Sequence, residues 1–504
     1  MQTRLLLSLC IVGAVAEPRA GLAAEDTILT IYNQSSAGAI DSGAYTPSPG
    51  SRNVPGYAVV RQMRTLNLPE KENAVVIQNV PSLIDPPTVQ LRSLTDPVAT
   101  RLIEQSYRHD LGSRERLLDK YINKKIGVEI LAGDKFELVE GNLLSTQDGL
   151  TLKTADGVIK SVPEYASISF PELPELVTIP TLIWNIVTNS PGEHQIEVTY
   201  QTLGMGWGAD YNLIYHESAD TKSDTVDISA WASITNHSGA DYRNAGLKLV
   251  AGDVQHVATN VPGKEGAMHA MVMERGISPS APAFAAKSVF EYHSYTLNRP
   301  VSLMDNSTTQ IELIPRVTQV PVKKMIVFTG ADPQYWNPGG RYVDQNYGLE
   351  TDRKNADVYL KFQNKKKSGL GAPLPAGRMR ISQREDTGDL TFIGESIIDH
   401  TPRNEEILVR MGSAFDVVGE RTQRNYVLDT TRNFAEEEIE IIIRNQKKQP
   451  VQVKVIERLY RTSAWAISNS SHEYEKESTS QISFPVNIDP EKEETIIYTV
   501  RYTW

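Results

Sequence analysis

Cysteine is nearly absent. The 504 residues contain one, Cys10, and it lies in an apolar run at the very start of the chain. Beyond it no disulfide, thiolate zinc site, iron–sulfur centre or cysteine nucleophile can form. Leu9, just before it, is not the small residue that lipid attachment needs. An excess of positive charge is also missing: 51 Lys and Arg stand against 62 Asp and Glu, a formal net charge of −11. Nucleic acid and anionic membrane surfaces select clustered basic residues, so neither is an expected partner. No apolar run reaches the roughly 18 residues of a membrane-spanning helix, and no integral membrane span is expected in the mature chain. The phosphate-cradling Gly-x-x-x-x-Gly-Lys loop, the Gly-x-Ser-x-Gly elbow and a Gly-x-Gly-x-x-Gly after a strand are all absent, and with them the usual supports for hydrolase or nucleotide chemistry. No cofactor is expected.

What is present first is a leader. Arg4 precedes the apolar run Leu5 to Ala16, and small residues at Gly21 and Ala23 precede Glu25-Asp26. This is the pattern of a secretory signal peptide over 1–23, with cleavage after Ala23 and after Ala16 as the alternative. A large exported chain without disulfides fits a bacterial periplasm or extracellular face better than a eukaryotic secretory route. The sequons at Asn33, Asn236, Asn306 and Asn469 are then chance matches.

Period-two alternation dominates the rest. Val226, Ile228, Ala230, Ala232 and Ile234 share one face of a strand, with Asp227, Ser229, Ser233 and Thr235 on the other; Asn236 to Asp241 is turn chemistry and Leu247 to Ala251 resumes, which predicts a hairpin. Glu438 to Arg444 and Val451 to Val455, around Asn445 to Pro450, predict a second. Asp148-Gly149 and Asp156-Gly157 space a three-stranded meander, read as part of a small barrel. One helix is expected, Arg114 to Ile122, capped by Ser113 with Leu117, Leu118 and Tyr121 as its apolar stripe. The expected fold is mainly β: tandem antiparallel, immunoglobulin-like β-sandwich domains plus a small β-barrel with one short helix. The expected division is 24–104, an N-terminal β domain with an inserted loop at 35–55; 105–172, helix and barrel; 173–335, a sandwich; and 336–504, a second sandwich.

Chemistry is harder to find. His216-Glu217 and His472-Glu473 lack the second histidine a helical zinc site needs. The oxygen-rich stretches Asp352, Asn355, Asp357 and Asp305, Asn306, Glu312 lack the spacing of a calcium loop. No metal site is expected. Most tryptophans read as core, Trp465 and Trp504 among them, and Tyr335-Trp336, in a Pro- and Gly-rich loop, is the exposed candidate for binding.

The ordered stretches Gly369-Leu-Gly-Ala-Pro-Leu-Pro-Ala-Gly377, Arg380, Phe392-Ile-Gly-Glu395, His400-Thr-Pro402 and Gly412-Ser-Ala-Phe-Asp-Val417 resemble a bacterial family, domain of unknown function (DUF) 4139. The resemblance extends to Leu29–Asn33, Pro180–Trp184, Tyr200, Trp207-Gly-Ala-Asp-Tyr211, Trp231–Asn236, Leu247–Gly252 and Tyr498–Trp504. It implies an exported, mainly β protein of unassigned activity, distantly similar to mucoidy inhibitor A-like proteins, and brings no accepted catalytic residues. The glycines and prolines of residues 369–377 read as a backbone device. Glu395, His400 and Asp416 are the polar members of these motifs and the only catalytic suspects. The leading functional expectation is a non-enzymatic module that binds or scaffolds another envelope component, a protein or a glycan; the rivals are a carbohydrate-active protein using Trp336 and a hydrolase built on those three residues.

Overall fold

The alternation does make strands, and it does so by burying one face. In Phe434–Asn445 every second residue is buried, so Ile439, Ile441 and Ile443 lie inside while Glu438, Glu440 and Ile442 face outward. In the computed structural model, residues 27–32, 56–109, 114–132, 135–171, 177–218, 224–252, 284–289, 292–331, 341–347, 354–385 and 387–504 are described. Residues 1–23, the inserted loop 35–55 and the pair Tyr335-Trp336 lie outside them.

The fold is mainly β, arranged in several sheets. One sheet of eight strands follows the order Phe284–Val289, Tyr292–Leu297, Tyr242–Ala251, Thr27–Tyr32, Tyr57–Leu68, Gly192–Leu203, Ile84–Ser93, with Val301–Leu303 joined to the third of these. Three strands, Glu72–Gln78, Thr181–Val187 and Arg101–Arg108, make a small sheet. A sheet of five runs Ser307–Pro321, Thr225–Asn236, Met205–His216, Gly377–Arg384, Leu390–Ile398, and a sheet of nine gathers most of the chain beyond Lys323. The strands on either side of residues 35–55, Thr27–Tyr32 and Tyr57–Leu68, pair directly and antiparallel.

Two predicted hairpins turn out to be crossings. Thr225–Asn236 pairs with Met205–His216 and Ser307–Pro321, whereas Tyr242–Ala251 lies in the eight-stranded sheet. Phe434–Asn445 and Val451–Arg458 likewise sit in one sheet without touching as neighbours. A buried asparagine ties each connection to neighbouring backbone. Asn236 Nδ2 donates to the carbonyls of Ala240 and Leu303 while its Oδ1 accepts from the Ser238 N–H. Asn445 repeats the device with the carbonyls of Gln449, Ile488 and Asp489 and the Lys447 N–H. Asn364 does the same for the glycine- and proline-rich loop, holding the carbonyls of Ala372 and Pro402 and the Gly371 N–H. Each satisfies backbone groups that the end of a strand would leave buried and bare.

The small barrel is corrected. The meander is there, with Lys135–Ser145, Leu150–Lys153 and Ile159–Val162 paired in order, and the helix Arg114–Lys120 places Leu118 in its core beside Tyr121. The sheet stays open, from Ser167–Ser169 at one edge to Ile159–Val162 at the other. Closure needs strands long enough to tilt and stagger, and these edge strands have three and four residues. The helix cap assigned to Ser113 lies outside the described residues.

Core membership does not follow chain order. The largest core runs from Leu29 through Trp184, Tyr211 and Ile234 to Met379, Ile398 and Val409, and a second is built from Phe328, Ile439, Val453, Phe484 and Tyr498. Residues 369–377 are tied into the first by tyrosines: Tyr211 Oη donates to the Pro375 carbonyl at 2.7 Å and Tyr295 Oη to that of Pro373 at 3.1 Å. Gly369 and Gly371 take φ of 80° and 97°, the left-handed turn that glycine alone enters freely. The backbone role read from the sequence is the one they play. No described helix is long and apolar enough to cross a membrane.

Candidate binding face

The five-stranded sheet buries one face in the largest core and leaves the other open. On Thr225–Asn236 the inward residues are Val226, Ile228, Ala230, Ala232 and Ile234, all buried. Residue 231 falls on the opposite parity, and Trp231 is 36 % exposed, whereas Trp184 and Trp207 are buried. It departs from the general expectation that tryptophans lie in the core, and the alternation itself held the signal: Trp231 stands between Ser229 and Ser233 on the polar side of its strand.

Residues directly opposite on paired strands share a face, and register therefore lays out a row. Trp231 faces Glu312 on one neighbouring strand and Asp210 on the other; Asp210 faces Arg378, and Arg378 faces Ile397. Four inter-strand gaps make this row about 19 Å long. Beside it lie Ser229, Asn212, Arg380 and Glu395, again opposite one another in turn. Register shifts interrupt the pairing next to Trp231, between Ala230 and Trp231, and again between Ile381 and Ser382. Bulges of this kind twist a strand and re-aim its side chains.

The charges of the face are paired with each other. Asp210, 8 % exposed, accepts from Ser233 Oγ at 2.6 Å, and the guanidiniums of Arg378 and Arg380 lie 3.4 and 3.8 Å from its Oδ1. Gln310 Nε2 donates to Ser233 Oγ, and Arg380 also reaches Glu395 at 3.7 Å. At the other end Asp227 accepts from Arg316 at 2.7 Å and from the Gln319 N–H, with His216 Nε2 at 3.4 Å. Burial pushes the Asp227 carboxyl up, but the bonds from Arg316, Gln319 and His216 outweigh it and hold the group below the usual carboxylate range. With the folded value depressed, this contribution to stability is present above the ordinary carboxylate pKa and fades as pH falls toward the lowered value. Thermal midpoints of the protein and its Asp227→Asn variant, compared between about pH 7 and pH 3, should differ at the neutral end and converge in acid. A gap independent of pH would show that Asp227 contributes by packing alone.

The sequence suspects are dispersed among separate roles. Glu395 is on the open face, paired with Arg380. His400 follows that strand, and its Nδ1 accepts from the Ala376 N–H at 3.0 Å, which helps to fix the glycine- and proline-rich loop. Asp416 stands on Glu406–Asp429 in the nine-stranded sheet, its backbone carbonyl accepting from the Gln446 N–H. Glu395 and Asp416 thus belong to different sheets. Among the described residues no group of three His, Cys, Asp or Glu is placed to hold a metal ion.

Glycines of the same motifs serve the packing of this sheet. A Cβ at Gly377 would meet the Ala209 carbonyl oxygen at 2.2 Å, and one at Gly394 the Met411 carbonyl oxygen at 2.1 Å. The motif residues Trp207–Tyr211, Trp231–Asn236, Gly377, Arg380 and Phe392–Glu395, far apart in sequence, are adjacent strands of one sheet. Neither the curated proteins nor the solved structures contain a match to the chain, and the similarity to mucoidy inhibitor A-like proteins draws no support from them. The motifs of this face all fall within residues 196–504, which match the family described as Domain of unknown function (DUF4139), and the chain belongs to that family.

Proposed function

We propose that this protein is an exported, non-enzymatic binding module of the bacterial envelope, built of immunoglobulin-like β-sandwich domains, that engages another envelope component through the open face around Trp231. One observation carries the reading: an exposed indole on the second strand of a five-stranded sheet face, next to an Asp210–Arg378–Arg380–Glu395 cluster already paired by ion pairs and hydrogen bonds. Fixed side chains lose little entropy when a ligand arrives, which is what a binding surface needs and a merely solvated one does not. Export rests on the leader, Arg4 followed by Leu5 to Ala16, and on the lack of cysteine after residue 10. The division at 104/105, 172/173 and 335/336 belongs to this proposal.

Two measurements test it. The mature chain isolated from an expressing bacterium should be periplasmic or extracellular and begin at Ala24; an uncut, cytoplasmic chain removes the export half. A photo-crosslinking amino acid placed at exposed Asn212, within the face, should give a discrete adduct in intact cells, and the same residue placed at Glu475, in the nine-stranded sheet, should not. Adducts that are equal from both positions, or absent from the first, defeat the assignment of the face.

A further inference from the structure

We infer that the ligand of this face is an uncharged polysaccharide, with a pyranose ring stacked on Trp231. The inference rests on the reading of the face as the binding surface and goes further by naming the ligand class. It follows from charge first. Four carboxylates, Asp210, Asp227, Glu312 and Glu395, stand with four guanidiniums, Arg316, Arg378, Arg380 and Arg384; among the described residues all but Glu312 and Arg384 are within 4 Å of an opposite charge on the same face, and Arg384 donates to the Gly388 carbonyl. A polyanion would find the arginines occupied and Glu312 repelling it; a basic peptide would have the arginines against it. Neither sign of ligand gains what electrostatic complementarity ordinarily supplies.

Apolar area decides against a protein partner. The core of a protein interface is a contiguous desolvated patch, but in its row Trp231 is enclosed by Glu312 on one side and Asp210 on the other. The other exposed hydrophobics, Leu390, Phe392 and Ile397, are all on Leu390–Ile398, the edge strand of the sheet. Inside that edge strand the face offers one aromatic plane, the indole, with hydrogen-bonding groups beside it. A pyranose has the matching chemistry, since its axial C–H groups form a flat apolar face and its rim is hydroxyl. The Glu312 carboxylate, in register beside the indole, accepts from hydroxyls, and the exposed amides of Asn212 and Gln310 both accept and donate. An open face five strands wide suits a chain of sugars rather than a single enclosed one.

The test is affinity electrophoresis of the full chain through gels containing dextran, laminarin, galactomannan or hydroxyethylcellulose, with alginate and polygalacturonate as the anionic comparison. At least one neutral polymer should retard it. Trp231→Ala should weaken that binding roughly tenfold, the upper range of a lost aromatic contact, Trp231→Phe should retain part of it, and Lys476→Ala should leave it unchanged. Circular dichroism matched to the parent guards against misfolding, and Glu312→Gln offers a second variant that keeps the shape of the face. Retardation by the anionic polymers alone, by none of the polymers, or equally for Trp231→Ala overturns the inference. Crosslinking from Asn212 separates the two failures: an adduct digested only by protease keeps the binding face and rejects the glycan, whereas no adduct and no retardation reject both.

Discussion

Replacing Glu457 by alanine should destabilise the nine-stranded sheet by about 3–5 kcal/mol, the range for removing one partner of a buried ion pair. Glu457 is fully buried, and its Oε2 accepts from Arg421 Nε at 3.0 Å and from Tyr498 Oη at 2.5 Å, while Oε1 accepts from the Ala331 N–H at 3.3 Å. Burial pushes the Arg421 guanidinium down, and Glu457 together with Tyr498 and Tyr460 more than reverses this, so Arg421 stays charged in the core. Without Glu457 that charge has no counterpart. The site is shaped around the carboxylate: a Cβ at Gly330 would lie 1.4 Å from Glu457 Oε1. Replacing both partners, Arg421→Met with Glu457→Leu, removes the charge and should recover most of the loss. It should not recover all, because the Tyr498 hydroxyl and the Ala331 N–H are then buried without an acceptor at about 1–3 kcal/mol each. Adding Tyr498→Phe should recover a further part. Hydrogen exchange read on peptides from 323–329 and 451–458 reports this sheet separately from the others, which a single melting curve does not. A single variant within about 1 kcal/mol of the parent would mean that water reaches Arg421 and the pair is not dry.

Which residues form strands was legible in the sequence; how the strands pair was not. Alternation identifies a strand because one face must be buried, and every stretch read that way within the described residues is a strand. Pairing depends on contacts far along the chain. Thr27–Tyr32 runs parallel to Tyr242–Ala251, Met205–His216 to Gly377–Arg384, and Lys323–Thr329 to Val451–Arg458, and nothing local in any of these segments marks its partner. The two misread hairpins fail for the same reason. A turn of polar residues between two strands looks alike whether the chain reverses beside itself or crosses to pair elsewhere. The side chains that distinguish the cases here, Asn236 and Asn445, do so through the carbonyls of Leu303 and Ile488, distant in sequence.

The candidate site was legible in part. Arg380 and Phe392–Glu395 were singled out as motif residues, and the polar face around Asp227, Ser229 and Ser233 was read correctly. Tryptophans are expected in the core as a class, by residue type, and Trp231 is given no place of its own, although its position in the alternation puts it outside. Two other features had no local sign at all. The pairing of Asp210 with Arg378 and Arg380 spans 168 residues or more and exists only through the parallel register of their strands, and the separation of Glu395 from Asp416 depends on a sheet boundary that no motif announces.

A second buried pair, Glu437 with Arg461, should respond differently from the first, and the difference follows from what else the arginine holds. Its Nη2 donates to Glu437 Oε1 at 2.7 Å, and the two terminal nitrogens also donate to the carbonyls of Tyr342, Asp344, Gln345 and Tyr347 at 2.6 to 3.4 Å. The guanidinium lies 4.7 Å from the Tyr426 ring, whose hydroxyl donates to the Val343 carbonyl, and Tyr342 stacks on Tyr347 at 4.2 Å. Residues 341–347 are thereby wrapped around one side chain, with the planar fork of arginine satisfying several carbonyls at once. Arg461→Met strands a buried carboxylate and should cost about 3–5 kcal/mol. Arg461→Lys keeps the charge, but three donors on a point charge cannot cover five acceptors spread across a plane, so it should fall between the two. The decisive variant is the double one, Arg461→Met with Glu437→Leu. Removing the charge should restore most of the stability of the sheet, as for Arg421 and Glu457, short of what the Gln423 amide and the Tyr460 hydroxyl lose with their acceptor, yet the four carbonyls still lack a donor, so exchange and proteolysis within 341–347 should stay fast. If protection of 341–347 returns with that of the sheet, the segment is held by the tyrosine stack and not by Arg461. If neither returns, the tyrosines around the pair need the guanidinium as a packing surface, and the ion pair is the smaller part of its contribution.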